Sequence, residues 1–104
     1  MTGLAGYSAV ITGASRGIGA AVATALAEAG AKVTLAARSE DKVLDVAKSL
    51  EASGHEAFCF PCDVTDPLRV LDLVRAAREA MGRIDILVNN AGTASSSPLG
   101  RIPL

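Results

Sequence analysis

An apolar run, Ala9-Val10-Ile11, empties into a loop with glycines at positions 13, 17 and 19, and an alanine-rich segment with helical spacing follows at once. Strand, glycine loop and helix in that order leave the chain few folds to choose from. Gly13 permits the tight turn out of the strand. Gly17 lets the backbone come against a bulky anionic group, and Gly19 lets the new helix pack close to a sheet. A helix that opens there presents backbone N–H groups and the positive end of its dipole, a suitable seat for a pyrophosphate. The spacing is G-x-x-x-G-x-G, not the commoner dinucleotide pattern G-x-G-x-x-G, and no Gly-Lys-Ser/Thr follows to make a Walker loop. The order of elements nevertheless makes a dinucleotide the expected ligand.

The rest of the chain repeats the alternation. Tyr7 to Ile11 reads as a first buried strand, continuous in apolar character as parallel strands are. Ile18, Val22, Ala25, Leu26 and Ala29 then keep a helical period, with Gly30 as a C-terminal cap. Residues 32–37 form a second strand. Ser39 is placed to cap a helix with Glu40 and Asp41 in its first turn. Its apolar stripe is Val43, Val46, Ala47 and Leu50, and Gly54 ends it. Residues 56–60 read as a third strand. Asp66 caps the next helix with Pro67 at its first position; Leu71, Val74, Ala77 and Met81 are predicted to face inward, and Gly82 stops it. Residues 84–89 form a fourth strand, followed by Asn90-Ala91-Gly92 and a loop in which Ser95, Ser96 and Ser97 read as polar filler. Strands alternating with helices imply right-handed crossovers and a parallel sheet. The expected architecture is α/β: a partial Rossmann-type doubly wound sheet of about four strands, order 3-2-1-4, with helices on both faces.

Length and charge narrow the function classes. The 104 residues make one small domain, short for a sheet covered on both sides. A net charge of −1 argues against nucleic acid as the main partner. No apolar run reaches membrane-spanning length, and Met1-Thr2-Gly3-Leu4 lacks the basic start of a signal peptide, so no membrane association and a cytoplasmic location are expected. Cys59 and Cys62 form a C-x-x-C pair, which raises a redox reading. Side chains three apart on a strand fall on opposite faces, however, and the next helix signal waits until Asp66-Pro67. A metal would also want more ligands than His55 adds. The pair is expected to be structural, with no metal site.

Three motifs together resemble the short-chain dehydrogenase/reductase family, in its classical branch, over about residues 7–98. Thr12-Gly13-Ala14-Ser15-Arg16-Gly17-Ile18-Gly19 is similar to the family's T-G-x-x-x-G-x-G cofactor loop. Asp63-Val64 is similar to its adenine-contacting pair, and Asn89-Asn90-Ala91-Gly92 matches its N-N-A-G motif. The resemblance implies that Gly13, Ser15, Arg16, Gly17, Ile18 and Gly19 surround the diphosphate. It further implies that Asp63 meets the adenine amino group, that the Val64 backbone supports the ring, and that Ala91-Gly92 passes close to a ribose. Asn89 is implied to be mainly structural, tying neighbouring strands, and Thr12 is expected to bond within the loop. The second strand ends Ala36-Ala37-Arg38, with no carboxylate for a ribose 2′-hydroxyl. Arg38 can fork onto a 2′-phosphate, with Arg16 as a second cation. The expected cofactor is therefore NADP(H) in preference to NAD(H).

The resemblance also exposes what the chain lacks. The family's chemistry uses a Tyr and a Lys four residues later, the Lys lowering the phenol pKa while the nicotinamide carries the hydride. The sequence has one tyrosine, Tyr7, and Ile11 stands four residues on, so no Tyr-x-x-x-Lys occurs. Residues 1–104 are therefore expected to be the cofactor-binding domain, incomplete at its C-terminus, of an NADP(H)-dependent oxidoreductase acting on a carbonyl or alcohol. Alone, the chain is expected to be inactive, with no catalytic residue of its own. The alternative is a stand-alone nucleotide-binding or interaction module. It would pair through an exposed fourth-strand edge with another copy or with a complementing C-terminal segment.

Overall fold

The computed structural model describes residues 3–14, 17–38, 40–63 and 65–89. Seven elements follow in order: β1 (Ser8–Thr12), α1 (Gly17–Glu28), β2 (Lys32–Ala37), α2 (Glu40–Ala52), β3 (Ala57–Pro61), α3 (Pro67–Met81) and β4 (Ile86–Asn89). The strands form one parallel sheet in the expected order, β3-β2-β1-β4.

Three strands differ in their bounds from the hydropathy reading: β1 and β3 are shifted one residue onward, and β4 starts at Ile86 instead of Ile84. Hydrogen bonds account for the shifts at the start of β1 and β4. The Tyr7 N–H is taken by a turn onto the Leu4 carbonyl at 2.9 Å, so Tyr7 joins β2 only through its carbonyl, which accepts the Lys32 N–H at 3.0 Å, and paired residues begin at Ser8. On the other flank Asp85 engages Ser8 twice. Its N–H donates to the Ser8 carbonyl at 2.8 Å, and its Oδ2 accepts the Ser8 N–H at 2.9 Å. A carboxylate thus stands where a strand carbonyl would, and regular pairing begins one residue later. The Arg83 guanidinium holds that carboxylate through Nε at 2.9 Å and Nη2 at 2.6 Å.

Side chains alternate across the sheet as the pleat requires. Ala9, Ile11, Val33, Leu35 and Ala37 pack on one face with Ala23 and Ala27 of α1 and Val43, Ala47 and Leu50 of α2. Val10 and Ala36 pack on the other with Leu73, Ala77 and Met81 of α3. Helices therefore cover both faces. Thr34 is buried on the α3 side, where its hydroxyl donates to the Met81 sulfur at 3.4 Å.

Two helical stripes depart from expectation. On α1 the buried positions are Gly19, Ala23 and Ala27, whereas Ile18 is 72 % exposed and Ala25 is exposed too. Close approach of helix to sheet selects the small residues at i, i+4 and i+8, while the larger Leu26 is only partly buried at the side of the same cluster. On α3 the inward row is Leu73, Ala77 and Met81; Leu71, expected inside, is 52 % exposed. That helix is capped as its sequence suggests. Asp66 accepts the Leu68 N–H at 3.0 Å, and Gly82, at φ 88°, donates to the Arg78 carbonyl at 2.8 Å. Val43, Ala47 and Leu50 of α2 point inward as expected.

Cys59 packs against the α1–α2 side and Cys62 lies within the α3 cluster, so the two thiols are on opposite faces of the sheet. Burial pushes the Cys62 thiol pKa up, and its Sγ donates to the Arg69 carbonyl at 3.6 Å. No helix among the described residues is long and apolar enough to cross a membrane.

Candidate cofactor site

Parallel pairing aligns the carboxyl ends of all four strands. Thr12 is level with Ala36 on β2 and with Asn89 on β4, and Ala37 is level with Pro61 on β3. The residues that leave these ends (Gly13, Arg38, Asp63 and Asn89) consequently lie along one edge of the sheet. The chain also changes sides here: α1 and α2 cover one face, α3 covers the other, and β4 returns beside β1. Open α/β sheets have their binding crevice outside the carboxyl ends at such a reversal.

The glycine loop is built for a sharp change of direction. Gly13 and Gly17 have φ of 65° and 62°, a region that costs glycine nothing and strains other residues. The Ala14 N–H donates to the Ala36 carbonyl at 3.2 Å, pinning the start of the loop over β2. α1 then opens at Gly17, with Gly19 buried against the sheet and Ile18 turned outward in the first turn. Ser15 and Arg16 lie outside the described residues, as do Val64, Ala91 and Gly92.

The Thr12 hydroxyl reaches across to β4, donating to Asn89 Oδ1 at 3.1 Å and to the Val88 carbonyl at 3.4 Å. The Thr12–Asn89 bond ties the ends of β1 and β4, which is the strand-tying role expected of Asn89.

At the end of β3, Asp63 forms a tight turn of its own. Its Oδ1 accepts the Thr65 N–H at 2.9 Å and the Thr65 hydroxyl at 2.6 Å, and its carbonyl accepts the Asp66 N–H at 3.1 Å. The bonds from Thr65, helped by the charge of Arg38, hold the Asp63 carboxyl below the usual carboxylate range. The spacing Asp-x-Thr is a legible signal for such a turn, although Thr65 was not singled out from the sequence. Arg38 itself is exposed just past β2. Cys62 donates its N–H to the Ala37 carbonyl at 3.0 Å, which draws the exits of β2 and β3 together. A cation, an ionised carboxylate and a glycine turn at a helix start thus occupy adjacent strand ends.

Tyr7 is at the opposite end of β1 from Gly13, 45 % exposed, beyond the amino end of the sheet. A five-residue strand spans about 17 Å, so its phenol cannot serve the carboxyl edge.

Residues 7–103 match the short chain dehydrogenase family along almost the whole sequence. The chain belongs to the short-chain dehydrogenase family. Among its relatives is glycine betaine reductase ATRR of Emericella nidulans, 53 % identical over 89 residues, which are 86 % of this chain and 7 % of that protein. A metagenomic short-chain oxidoreductase solved in complex with NADP superposes with a TM-score of 0.82 at 44 % identity, covering 88 % of this chain and 41 % of that one. A short-chain dehydrogenase/reductase from Burkholderia phymatum solved with NAD gives 0.80 at 37 % identity, covering 84 % and 31 %. This short-chain dehydrogenase chain therefore spans well under half the length of these relatives. The two solved neighbours share the fold, one holding NADP and the other NAD.

Proposed function

We propose that the chain is the cofactor-binding portion of an NADP(H)-dependent oxidoreductase acting on a carbonyl or alcohol. The observation that carries this reading is the arrangement at the carboxyl edge. A positive-φ glycine turn leads into α1, and Arg38 stands beyond β2 where a ribose-binding carboxylate is missing. The positive-φ glycines 13 and 17 and the charges of Arg38 and Asp63 support a dinucleotide as the ligand. Gly13, Ser15, Arg16, Gly17, Ile18 and Gly19 would surround the diphosphate, backbone amides meeting its charge. Arg38, with Arg16, would hold the 2′-phosphate through forked hydrogen bonds. Asp63, with Val64 beside it, would meet the adenine, and Ala91-Gly92 would pass the ribose, with Asn89 keeping β4 in register. The bound nicotinamide would supply the hydride.

The chain's own residues bind and orient in this scheme and move no proton. No Tyr-x-x-x-Lys occurs in the sequence, and Tyr7 stands at the wrong end of β1. The substrate of a longer protein carrying this portion would be met by residues outside this chain. Calorimetric titration with NADPH tests the reading. Saturable binding is expected, with no oxidation of the bound NADPH when a ketone is added to this chain. Absence of binding would refute the cofactor assignment, and ketone reduction would refute the missing catalytic pair.

A further inference from the structure

We propose that Arg69 is a positioning residue for the adenine end of the dinucleotide, acting through Asp63; the inference rests on the dinucleotide reading above. Asp63 follows β3, which among the described residues is an edge strand laddered to β2. The path of its last residues therefore depends on β2 on one side and on what α3 supplies. Arg69, in the first turns of α3, touches three consecutive residues immediately before Asp63. Its guanidinium carbon lies 5.0 Å from the centroid of the Phe60 ring. Its Nη2 donates to the Pro61 carbonyl at 2.8 Å. Its own carbonyl accepts the Cys62 thiol at 3.6 Å. Asp72, one turn along the helix, accepts from Nη1 at 3.2 Å and fixes the guanidinium from the other side.

A planar guanidinium suits this task. It can lie over an aromatic ring while two of its nitrogens bond in different directions, which an ammonium cannot do. Downstream, Asp63 is held by Thr65 and Asp66. Upstream, α3 packs around Cys62 and Phe60, and its polar hold on the segment comes from Arg69. With both clamps in place the carboxylate is presented beside Arg38 in one orientation before any ligand arrives, and pre-organisation of this kind raises affinity by lowering the ordering cost of binding. Without the Arg69 guanidinium, residues 60–62 keep the β2 pairing and the packing of Phe60 and Cys62 on α3 but lose the bond to the Pro61 carbonyl, so Asp63 and the turn that Thr65 closes on it are set less firmly before the ligand arrives.

Comparing NADPH with its hypoxanthine counterpart, in which oxygen replaces the adenine amino group and N1 gains a hydrogen, reads out recognition of that edge of the base, because the sugars, phosphates and nicotinamide are shared. Wild-type protein is expected to favour NADPH. In Arg69→Leu that preference should fall about fivefold, the scale of one net hydrogen bond. Arg69→Lys, which can still reach the Pro61 carbonyl, should fall between the two. A general loss of fold would weaken both ligands alike and leave their ratio unchanged. A ratio unchanged in Arg69→Leu overturns the inference while leaving the cofactor assignment intact. Should Arg69→Leu fail to fold, Arg69→Lys decides alone: a reduced ratio supports the role and an unchanged one overturns it. Wild-type protein that binds both ligands equally also overturns it, and wild type that binds neither overturns the dinucleotide reading with it.

Discussion

Replacing Arg38 by Ala is the most informative test of cofactor choice. The residue leaves β2 directly after Ala37, whose carbonyl is held by the Cys62 N–H, so its backbone is anchored while its side chain is exposed. A hydrogen bond to a charged group contributes roughly 1.5–3 kcal/mol. Exposure and solvent screening place Arg38 at the low end, about 1.5 kcal/mol, or about tenfold in affinity. A second effect acts in the same direction. Asp63 is ionised beside Arg38, and without the cation its charge faces the incoming 2′-phosphate uncompensated. The expected loss for NADPH is therefore about ten- to thirtyfold. NADH carries no 2′-phosphate and should change by less than about twofold, within the ordinary effect of a surface substitution. Fluorescence titration of both cofactors with wild type and variant measures the difference. Repeating it at high salt should narrow the gap, because exposed charges are screened. Equal losses for the two cofactors, or a gap indifferent to salt, would refute a phosphate role for this arginine.

Two further outcomes concern the fold that carries the site. Leu73→Ala should cost about 2–5 kcal/mol, the range for a buried leucine, whereas Leu71→Ala on the outer side of the same helix should stay within about 0.5 kcal/mol; denaturant midpoints of the two variants compare them. Asp85 is held below the usual carboxylate range by the Arg83 hydrogen bonds and the Ser8 N–H. A depressed carboxyl stabilises the folded chain above its unfolded pKa, near 3.8, and loses that contribution as pH falls through the folded value. The stability difference between wild type and Asp85→Asn should thus be full near neutral pH and shrink below about pH 4. A difference that grew on acidification would contradict the assigned contacts.

Nearly every position of α1 is apolar or small, so periodicity alone could not mark which side meets the sheet. On α3, Leu68, Leu71, Leu73 and Val74 offer two overlapping stripes, and only the position of β2 and β3 against Leu73, Ala77 and Met81 selects one. Thr12 shows the same limit at the site. No neighbour of Thr12 in the chain announces that β4 supplies its hydroxyl with a partner from 77 residues away.

Local chemistry determined the rest in advance. Alternating apolar runs and helical spacings specified a parallel sheet, three glycines specified a strand-to-helix turn, and the missing Tyr-x-x-x-Lys is visible by inspection. These are properties of neighbouring residues, and a sequence lists neighbours. What only the tertiary structure decided is which distant groups share a surface. It set Arg38 beside Asp63, joined Thr12 to Asn89, and laid Arg69 across the residues that lead to Asp63. Such pairings depend on strand order and register, which are set when the helices bury their faces on the sheet and not by any one stretch of chain.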